Sequence, residues 1–300
     1  MSIHRWVLGM MVVLGGCRAS IAPVEVGPLH SVETTPPAGL TACWVESGRF
    51  GSFTASSLVV RHPEGTVAID AGNSTNLKEE IQVYEGRTYR WLRALPARLR
   101  PRESLADRFG EAGVDPGALR WVLPTHAHLD HLGGVLDLPP TPVLLSEPEQ
   151  ALVAEAREHV ITEVMPAHAH GVEGHEEALR FDGGPYEIFD RHADLFGDGS
   201  VVVVPMPGHT PGSVAVFVNL PDGTRLLHVG DAVNDRSQIE RLRGRASIMR
   251  RTDMDEPQAN DNVARLHELQ RRIPELRIIP AHERRAWAET FGRPGQGCAG

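Results

Sequence analysis

Four side chains that can bind a metal lie within six residues near the middle of this 300-residue chain. They are His126, His128, Asp130 and His131, and they follow Arg120–Leu123, a short apolar run that we predict to be a buried strand. In an extended or tightly turned loop His126 and His128 point the same way, and the other two face a second position nearby. Imidazole and carboxylate groups bind zinc at about 2.0–2.2 Å. The segment therefore predicts a metal centre at the end of a strand.

Further candidate ligands follow three other predicted strands. His209 comes after the run 201–204, Asp231 after 225–229 and His282 after 276–279. Loops at the ends of strands would gather these side chains along one edge of a sandwich. One zinc ion has too few positions for so many ligands, whereas two ions about 3.5–4 Å apart can use them. We therefore predict two zinc ions held by His126, His128, Asp130, His131, His209, Asp231 and His282.

The apolar runs and turn signals predict a mixed α/β (α+β) domain. Strands are predicted at 41–46, 55–61, 66–70, 120–123, 142–145, 201–204, 213–219, 225–229 and 276–279. Helices are predicted at 77–95, 103–111, 148–159, 257–272 and 283–291. Strands cluster with helices between them in both halves of the chain, and residues 161–198 show little periodicity.

These motifs together resemble the metallo-β-lactamase superfamily over roughly residues 40–292. The resemblance rests on His-x-His-x-Asp-His at 126–131, Gly-His-Thr-Pro-Gly at 208–212, Gly-Asp at 230–231 and a late histidine at 282. It implies a four-layer αββα sandwich with a dinuclear site at the edges of two sheets. By this match His126, His128 and His209 bind the first zinc, Asp130, His131 and His282 bind the second, and Asp231 bridges them. Asp70 matches an early aspartate that holds the second nitrogen of a ligand imidazole.

The resemblance implies a hydrolase whose two metal ions share a water acidic enough to attack a carbonyl or phosphoryl centre. Asp130 would orient this nucleophile and carry a proton, which makes it the candidate catalytic residue. The bridging Asp231 departs from the secreted metallo-β-lactamases, which usually have cysteine or serine there. In having an aspartate at this position, the chain resembles lactonases, glyoxalase II thioesterases and phosphodiesterases. We therefore expect a small-molecule substrate, namely a small ester or a lactone.

One position departs from the lactonase pattern. Acyl-homoserine-lactone lactonases have a tyrosine three positions after the bridging aspartate, where this chain has Asn234. Asn234 is a candidate substrate contact, and a solvated loop residue is the competing interpretation. Several alternatives stay open: a β-lactam hydrolase, a thioesterase, a phosphodiesterase, a one-iron persulfide dioxygenase, or a noncatalytic metal-binding lipoprotein. Iron or manganese in place of zinc also stays open.

The first 38 residues predict export and a membrane anchor. A short basic start precedes an apolar run at 6–14, and Leu-Gly-Gly-Cys at 14–17 resembles the processing site of a bacterial lipoprotein. We predict a lipoprotein signal peptide at 1–16, a lipid on Cys17, a proline-containing tether at 17–38 and the metallo-β-lactamase-fold domain at 39–300. The protein would lie in the cell envelope, anchored to a bacterial membrane. Export permits a disulfide between Cys43 and Cys298, and two free thiols are the alternative.

The net charge of −9 argues against a nucleic-acid partner, because an acidic surface repels phosphate backbones. The sequence leaves the oligomeric state open. We interpret His168, His170, His175 and His192 as surface histidines; the alternative is a second metal site or a lid. We interpret the arginines between 236 and 251 as a solvated helix face; the alternative is that they guide an anionic substrate. His62 and His228 have no motif context.

Overall fold

The computed structural model describes residues 18–50, 53–86, 103–161, 163–247 and 249–299. The predicted signal peptide at 1–16, Cys17 and the second half of the predicted helix 77–95 lie outside the described residues. Of the helices in the described ranges, none combines the length and the apolar character needed to cross a membrane.

Runs of strands are separated by helices along the chain. The strands are β1 (Arg18–Ser20), β2 (Thr41–Phe50), β3 (Phe53–His62), β4 (Gly65–Ile69), β5 (Leu119–Leu123), β6 (Val143–Ser146), β7 (Glu176–Leu179), β8 (Ala193–Asp194), β9 (Val201–Pro205), β10 (Val214–Asn219), β11 (Arg225–His228), β12 (Arg243–Ala246) and β13 (Arg277–Ile279). The α-helices are α1 (Leu77–Glu80), α2 (Leu105–Glu111), α3 (Leu129–Leu132), α4 (Glu147–Glu158), α5 (Pro166–Gly171), α6 (Arg236–Arg241), α7 (Glu256–Arg272) and α8 (Arg284–Phe291). Short 3₁₀ helices span Ile81–Val83, Pro116–Ala118, Gly133–Asp137 and Arg250–Thr252.

Two sheets form the frame of the domain. The first has the order β2-β3-β4-β5-β6-β7, in which β4 to β7 are parallel neighbours. The second has the order β13-β11-β10-β9-β8, with β11 and β13 parallel and the other neighbours antiparallel. The strands β9, β11 and β13 therefore run in the same direction, and so do β4 and β5. Their carboxyl ends gather at one edge of each sheet, where the candidate ligands follow.

Apolar side chains on the strands alternate between two cores. In β9, Val201 and Val203 pack in the core between the sheets, whereas Val202 and Val204 pack with Leu266 and its neighbours of α7. The strands β4 and β5 alternate in the same way between the inter-sheet core and helices α2 and α4. This period of two is what buried strands require when both faces are covered. The predicted four-layer αββα sandwich is confirmed.

The helix that covers the second sheet begins where its sequence predicts. The side chain of Asp255 accepts a hydrogen bond from the backbone N–H of Gln258 at 3.0 Å. Pro257 lies in the first turn, where a helix needs no amide hydrogen. Behind this cap, Val263, Leu266 and Leu269 are buried and hold the helix to the sheet.

Residues 18–38, which we predict to be an extended tether, contact the domain. The strand β1 pairs with β12, and Arg18 forms an ion pair with Asp235 at 2.7 Å. The backbone N–H of Thr35 donates to the carbonyl of Asp198 at 2.8 Å. Ile21 and Val26 pack at the edge of the second sheet's helix-facing core. The segment lies along the domain because these apolar side chains find an apolar surface there.

Two other segments also differ from the prediction. Within the described part of the predicted helix 77–95, α1 ends at Glu80 and the 3₁₀ helix ends at Val83. The backbone is extended at Tyr84, whose hydroxyl donates to the carbonyls of Ile161 at 2.6 Å and Val164 at 3.1 Å. This anchor fixes Tyr84 against the loop that follows α4. Residues 161–198, whose pattern predicts no element, contain α5, β7 and β8.

A disulfide joins Cys43 of β2 to Cys298 near the C-terminus, so the pair is not left as free thiols. Both cysteines are buried in the core between the first sheet and its helices. The bond fastens the C-terminal tail to β2 across a sequence separation of 255 residues.

We expect the double substitution Cys43→Ala and Cys298→Ala to lower the free energy of unfolding by about 2–4 kcal/mol, because the closed loop no longer restricts the unfolded chain. Urea unfolding of the oxidised parent and the variant would measure this. A reductant should lower the parent's midpoint and leave the variant's unchanged. Equal midpoints for parent and variant would contradict the prediction.

Candidate metal centre

All seven predicted ligands meet at the shared edge of the two sheets. The loop after β5 supplies His126 to His131, with Asp130 and His131 in the first turn of α3. The loops after β9, β11 and β13 supply His209, Asp231 and His282. Each ligand lies where a strand ends, because parallel and alternate strands of a sheet finish on the same side. The described residues contain three groups that could hold a metal ion, and all are drawn from these seven.

The first group consists of His126, His128 and His209. Their ligand nitrogens all lie within 4.8 Å of one another, and all three rings are buried. His128 Nδ1 and His209 Nε2 are 3.0 Å apart. Two nitrogens bound to one tetrahedral zinc ion at about 2.0–2.1 Å would be roughly 3.3 Å apart. The spacing therefore suits a shared metal ion.

The second group consists of Asp130, His131 and His282, whose ligand atoms also lie within 4.8 Å of one another. His282 Nε2 is 3.5 Å from Asp130 Oδ2, and His131 Nε2 is 4.0 Å from Asp130 Oδ1. The Asp130 side chain is 20% exposed, against 2% for His131 and 5% for His282. Asp130 is therefore the ligand of this group on the solvent side.

Asp231 lies between the two groups. Its Oδ2 is 3.4 Å from His209 Nε2 of the first group. Its Oδ1 is 3.4 Å from His131 Nε2 and 2.9 Å from His282 Nε2 of the second. Each carboxylate oxygen thus faces a different group of ligands, which is the arrangement a bridging carboxylate needs.

The buried polar atoms of this cluster fit a metal ion. Among the described residues, His126 Nε2, His131 Nε2 and Asp231 Oδ1 are buried and have no hydrogen-bond partner. A buried polar atom without a partner costs free energy, and a cation would satisfy all three. Five imidazoles and two carboxylates are a donor set that zinc favours. The residues present therefore fit two zinc ions.

The electrostatics of the first group and of Asp231 agree with this interpretation. Burial holds the pKa of His126, His128 and His209 well below the usual range, and neighbouring histidines and Arg245 act in the same direction. These rings are therefore neutral, the state in which imidazole binds a metal. Burial opposes ionisation of Asp231, but His282 and His131 hold its pKa well below the usual range.

Asp70 lies behind the ligand loop and contacts His131. Its Oδ2 lies 3.0 Å from His131 Nδ1, which leaves His131 Nε2 for the metal. Its Oδ1 accepts hydrogen bonds from Thr125 N at 2.6 Å and Thr125 Oγ1 at 2.9 Å. Oδ2 also lies 2.9 Å from His228 Nε2. His228, which has no motif context, is therefore part of the support of the centre.

A buried acid that the sequence pattern does not reveal joins two ligand loops. Glu149 of α4 accepts hydrogen bonds from Ala127 N at 2.6 Å, Thr210 Oγ1 at 2.7 Å and Gly212 N at 3.0 Å. Burial raises the pKa of Glu149, and these hydrogen bonds oppose the rise. A Cβ at Gly212 would collide with the backbone nitrogen of Glu149, so the close approach needs glycine. Glu149 thereby fixes the loop of His126 and His128 against the loop of His209.

His282 has its own supports. Its Nδ1–H donates to the carbonyl of Thr54 at 2.8 Å, which leaves Nε2 for the metal. The ring of Phe53 stacks on the imidazole with 3.9 Å between centroids and 15° between planes. The hairpin of β2 and β3 therefore reaches the metal centre and sets the direction of His282.

Two residues close to the ligands take positions that the sequence did not predict. Asn234 accepts a hydrogen bond from the guanidinium of Arg245 through its Oδ1, so part of its amide is already used by the protein. A contact between Asn234 and substrate stays a prediction. Glu163 Oε2 lies 3.6 Å from His128 Nδ1, and burial together with Asp130 and Asp231 raises the pKa of Glu163 to about 8.

The histidine-rich segment holds no metal group among the described residues. His170 and His175 are exposed, as expected of surface histidines. The expectation is wrong for His168 and His192, which are buried. His168 pairs with Glu80 at 2.8 Å, and His192 Nδ1 donates to the carbonyl of Gly184 at 2.7 Å.

Known proteins resemble this chain in sequence and in fold. The profile of the metallo-beta-lactamase superfamily matches residues 51–282. A probable metallo-hydrolase of Mycobacterium tuberculosis is 31% identical over 236 residues, which cover 75% of this chain and 73% of that protein. An N-acyl homoserine lactonase of Azorhizobium caulinodans is 26% identical over 180 residues, which cover 58% of this chain and 63% of that protein. The solved structure of an N-acyl homoserine lactone hydrolase, with N-hexanoyl-L-homoserine at its catalytic metal centre, has a TM-score of 0.55 and 20% identity over 84% of this chain and 94% of its own.

We expect Glu149→Gln to lower the free energy of unfolding of the metal-free protein by about 1–3 kcal/mol. All three partners of Glu149 donate, so the amide NH₂ group of glutamine must face a donor wherever it turns. Urea unfolding would measure the loss. Glu155→Gln, on the exposed face of the same helix, is the matched control and should match the parent. A Glu149→Gln variant as stable as the control would contradict the proposed link between the loops.

Proposed function

Since this chain belongs to the metallo-β-lactamase superfamily and is a metal-dependent hydrolase, we propose that it uses two zinc ions to hydrolyse small esters or lactones. The observation that carries the proposal is the pair of ligand groups that share Asp231. Each group offers two or three imidazoles and a carboxylate oxygen within reach of one ion. A dinuclear centre of this kind suits hydrolysis rather than electron transfer.

The nitrogen-rich ligand set favours zinc over manganese. The first group consists of histidines alone, with Asp231 as its carboxylate neighbour. Imidazole suits zinc, whereas manganese favours oxygen ligands. Metal analysis of the purified protein would identify the ion.

The chemistry follows from where the side chains lie. When bound, two zinc ions supply an acidic water and polarise the oxygen of the group under attack. Asp130 lies on the solvent side, and its Oδ2 is 3.5 Å from His282 Nε2. It can therefore accept a proton as the nucleophile forms and return it to the leaving oxygen. Asp231, His131 and His282 are more buried and keep the ligand frame in place.

The buried cation beside the centre is already paired, which favours a neutral acyl substrate over a phosphodiester. Glu163 and Asp130 place two carboxyl groups on the more exposed side, with side chains 14% and 20% exposed. The nearby cation is Arg245. Its guanidinium is buried and donates hydrogen bonds to Asp253, Asn234 and the carbonyl of Asp231. A substrate with a negative phosphate would gain little from a cation engaged in this way.

Among acyl substrates we propose a lactone. Support comes from the likeness to the Azorhizobium lactonase and to the fold of the lactone hydrolase structure. A β-lactam stays the second candidate, since exported enzymes meet such compounds, but Asp231 stands where those enzymes usually have cysteine or serine. A thioester stays the third. A noncatalytic binding protein would have no need to keep all seven ligands.

We also propose that the protein is exported and lipid-anchored through Cys17. The Leu-Gly-Gly-Cys sequence after an apolar run supports this, since such a segment serves lipoprotein processing. The disulfide between Cys43 and Cys298 supports an oxidising compartment. The anchor would keep the enzyme at a bacterial membrane, facing small molecules from outside the cytoplasm.

We expect the zinc-loaded protein to open acyl-homoserine lactones and simple lactones, with one proton released per turnover. A pH-stat would follow this release directly. Asp130→Asn should lower the rate by roughly 10²–10⁴-fold, because a proton carrier is lost. Asp190→Asn changes an exposed aspartate in the same way and should match the parent.

The same assay separates the candidates. No lactone turnover, with the same sample cleaving a β-lactam, a thioester or a phosphodiester, would discard the lactonase and keep the hydrolase. An Asp130→Asn variant as fast as the parent would mean that Asp130 has no catalytic role.

We expect Cys17→Ser to move the protein from the membrane fraction to the soluble fraction of the cell envelope, because serine cannot carry the thioether-linked lipid. Fractionation and immunoblotting would measure the distribution. Cys298→Ala removes a cysteine that the disulfide uses and should leave the protein in the membrane fraction. Continued membrane association of Cys17→Ser would rule out this anchor.

A further inference from the structure

Arg245 is a buried cation beside the metal centre, although its arginine-rich surroundings predict a solvated helix face. It lies in β12 and is 4% exposed. Its Nε donates to Asp253 at 2.7 Å and 2.9 Å, to Oδ1 and Oδ2. Its other nitrogens donate to the side chain of Asn234 and to the carbonyl of Asp231. Burying a charge costs free energy unless the charge is paired and hydrogen-bonded. Here all the acceptors belong to residues that lie beside the metal centre.

The ring of His209 depends on the same pair. Asp253 Oδ1 lies 2.8 Å from His209 Nδ1, whereas the nearest Arg245 nitrogen lies 3.3 Å from it. A carboxylate only accepts hydrogen bonds, and a guanidinium only donates them. If Nδ1 carries the proton, it donates to Asp253 and Nε2 is free to bind a metal. If Nδ1 is bare, it accepts from Arg245 and the proton on Nε2 blocks the metal. The shorter distance favours the first arrangement.

We propose that Asp253 and Arg245 are a positioning pair for the first metal ion: Asp253 selects the tautomer of His209, and Arg245 fastens Asp253 to the loop that follows Asp231. The inference rests on the metal centre of the proposed function. Neither residue forms a hydrogen bond with the side chains of Asp130, His131 or His282, so we expect Asp253→Asn to act mainly on the first ion. A hydrogen bond of this kind to a ligand histidine changes metal affinity by about 10–100-fold.

Arg245 connects two separate loops to achieve this. Asp253 follows the 3₁₀ helix Arg250–Thr252, Asp231 follows β11, and Asn234 precedes α6. A lysine has the same charge but a single ammonium group, which cannot reach Asp253, the Asn234 side chain and the Asp231 carbonyl together. The geometry of arginine, and not only its charge, therefore matters here.

The test is zinc binding by the purified full chain, in competition with a chromophoric chelator, for the parent and for Asp253→Asn. The amide of asparagine must place its NH₂ group toward either His209 or Arg245, and both contacts oppose a donor to a donor. We expect one of the two zinc equivalents to bind roughly 10–100-fold more weakly and the other to keep its affinity. Long-range ¹H–¹⁵N NMR of the metal-free proteins should show that His209 loses its preference for the Nδ1–H tautomer.

The chain offers a matched control. Asp198 Oδ2 lies 2.9 Å from His62 Nε2, so Asp198→Asn removes a similar aspartate–histidine contact away from the ligands. We expect this variant to bind both zinc equivalents as the parent does. Arg245→Lys should weaken the same equivalent as Asp253→Asn, and it serves as the second variant if Asp253→Asn does not fold.

The outcomes separate this inference from the proposed function. A parent that binds fewer than two zinc equivalents would refute the dinuclear centre itself. A parent with two equivalents, and Asp253→Asn and Arg245→Lys variants whose affinities stay within about threefold of it, would overturn the positioning pair alone. The positioning pair would also be overturned if the variants only unfolded at a lower temperature and kept the parent's tautomer of His209. A purely structural ion pair would give that result.

Discussion

The carboxylate of Asp70 joins the two sheets at the point where the metal ligands gather. Its Oδ1 accepts from the backbone and hydroxyl of Thr125, at the end of β5, and its Oδ2 lies between His131 and His228. His228 belongs to β11 of the other sheet and donates from Nδ1 to the carbonyl of Ile279 in β13 at 3.0 Å. One side chain therefore sets the distance between the strands that supply most of the ligands. Asp70 adopts a φ of 62°, a left-handed conformation that disfavours residues with a side chain. Four hydrogen-bonding contacts offset that cost, and strain of this kind is kept where it serves a site.

Buried carboxylates connect the remaining ligand loops in the same way. Glu149 joins the loop of His126 and His128 to the loop of His209, and Asp253 with Arg245 joins His209 to the loop of Asp231. A buried carboxylate is costly by itself, and each of these is offset by several donors aimed at it. The loops would otherwise be the most mobile part of the fold, since loops have few packed neighbours. The sheets supply the positions of the ligands, and these acids supply their mutual distances.

The candidate ligands can be found from the sequence because their signal is local. His126 to His131 are adjacent in the chain, and His209, Asp231 and His282 each follow a recognisable apolar run. The supports of the centre could not be found in this way, because each acts on a group far away in sequence. Glu149 meets Gly212 across 63 residues, and Asp70 meets His228 across 158. The apolar spacing of α4 predicts a surface helix. It does not indicate that Glu149, alone among the acidic residues of this helix, is buried. The docking of residues 18–35 cannot be predicted for a similar reason. A segment with prolines and a few apolar residues does not show which surface of the domain it will cover.

Each proposed metal ion would draw ligands from both sheets. The first takes His126 and His128 from the loop after β5 of one sheet and His209 from the loop after β9 of the other. The second takes Asp130 and His131 from the first sheet and His282 from the second. A bound ion is therefore also a cross-link between the two halves, and its binding free energy adds to the stability of the native state. The ligand atoms of each group lie within 4.8 Å of one another, on loops that Asp70, Glu149 and Asp253 connect. The ions and these buried acids would therefore hold the same loops together.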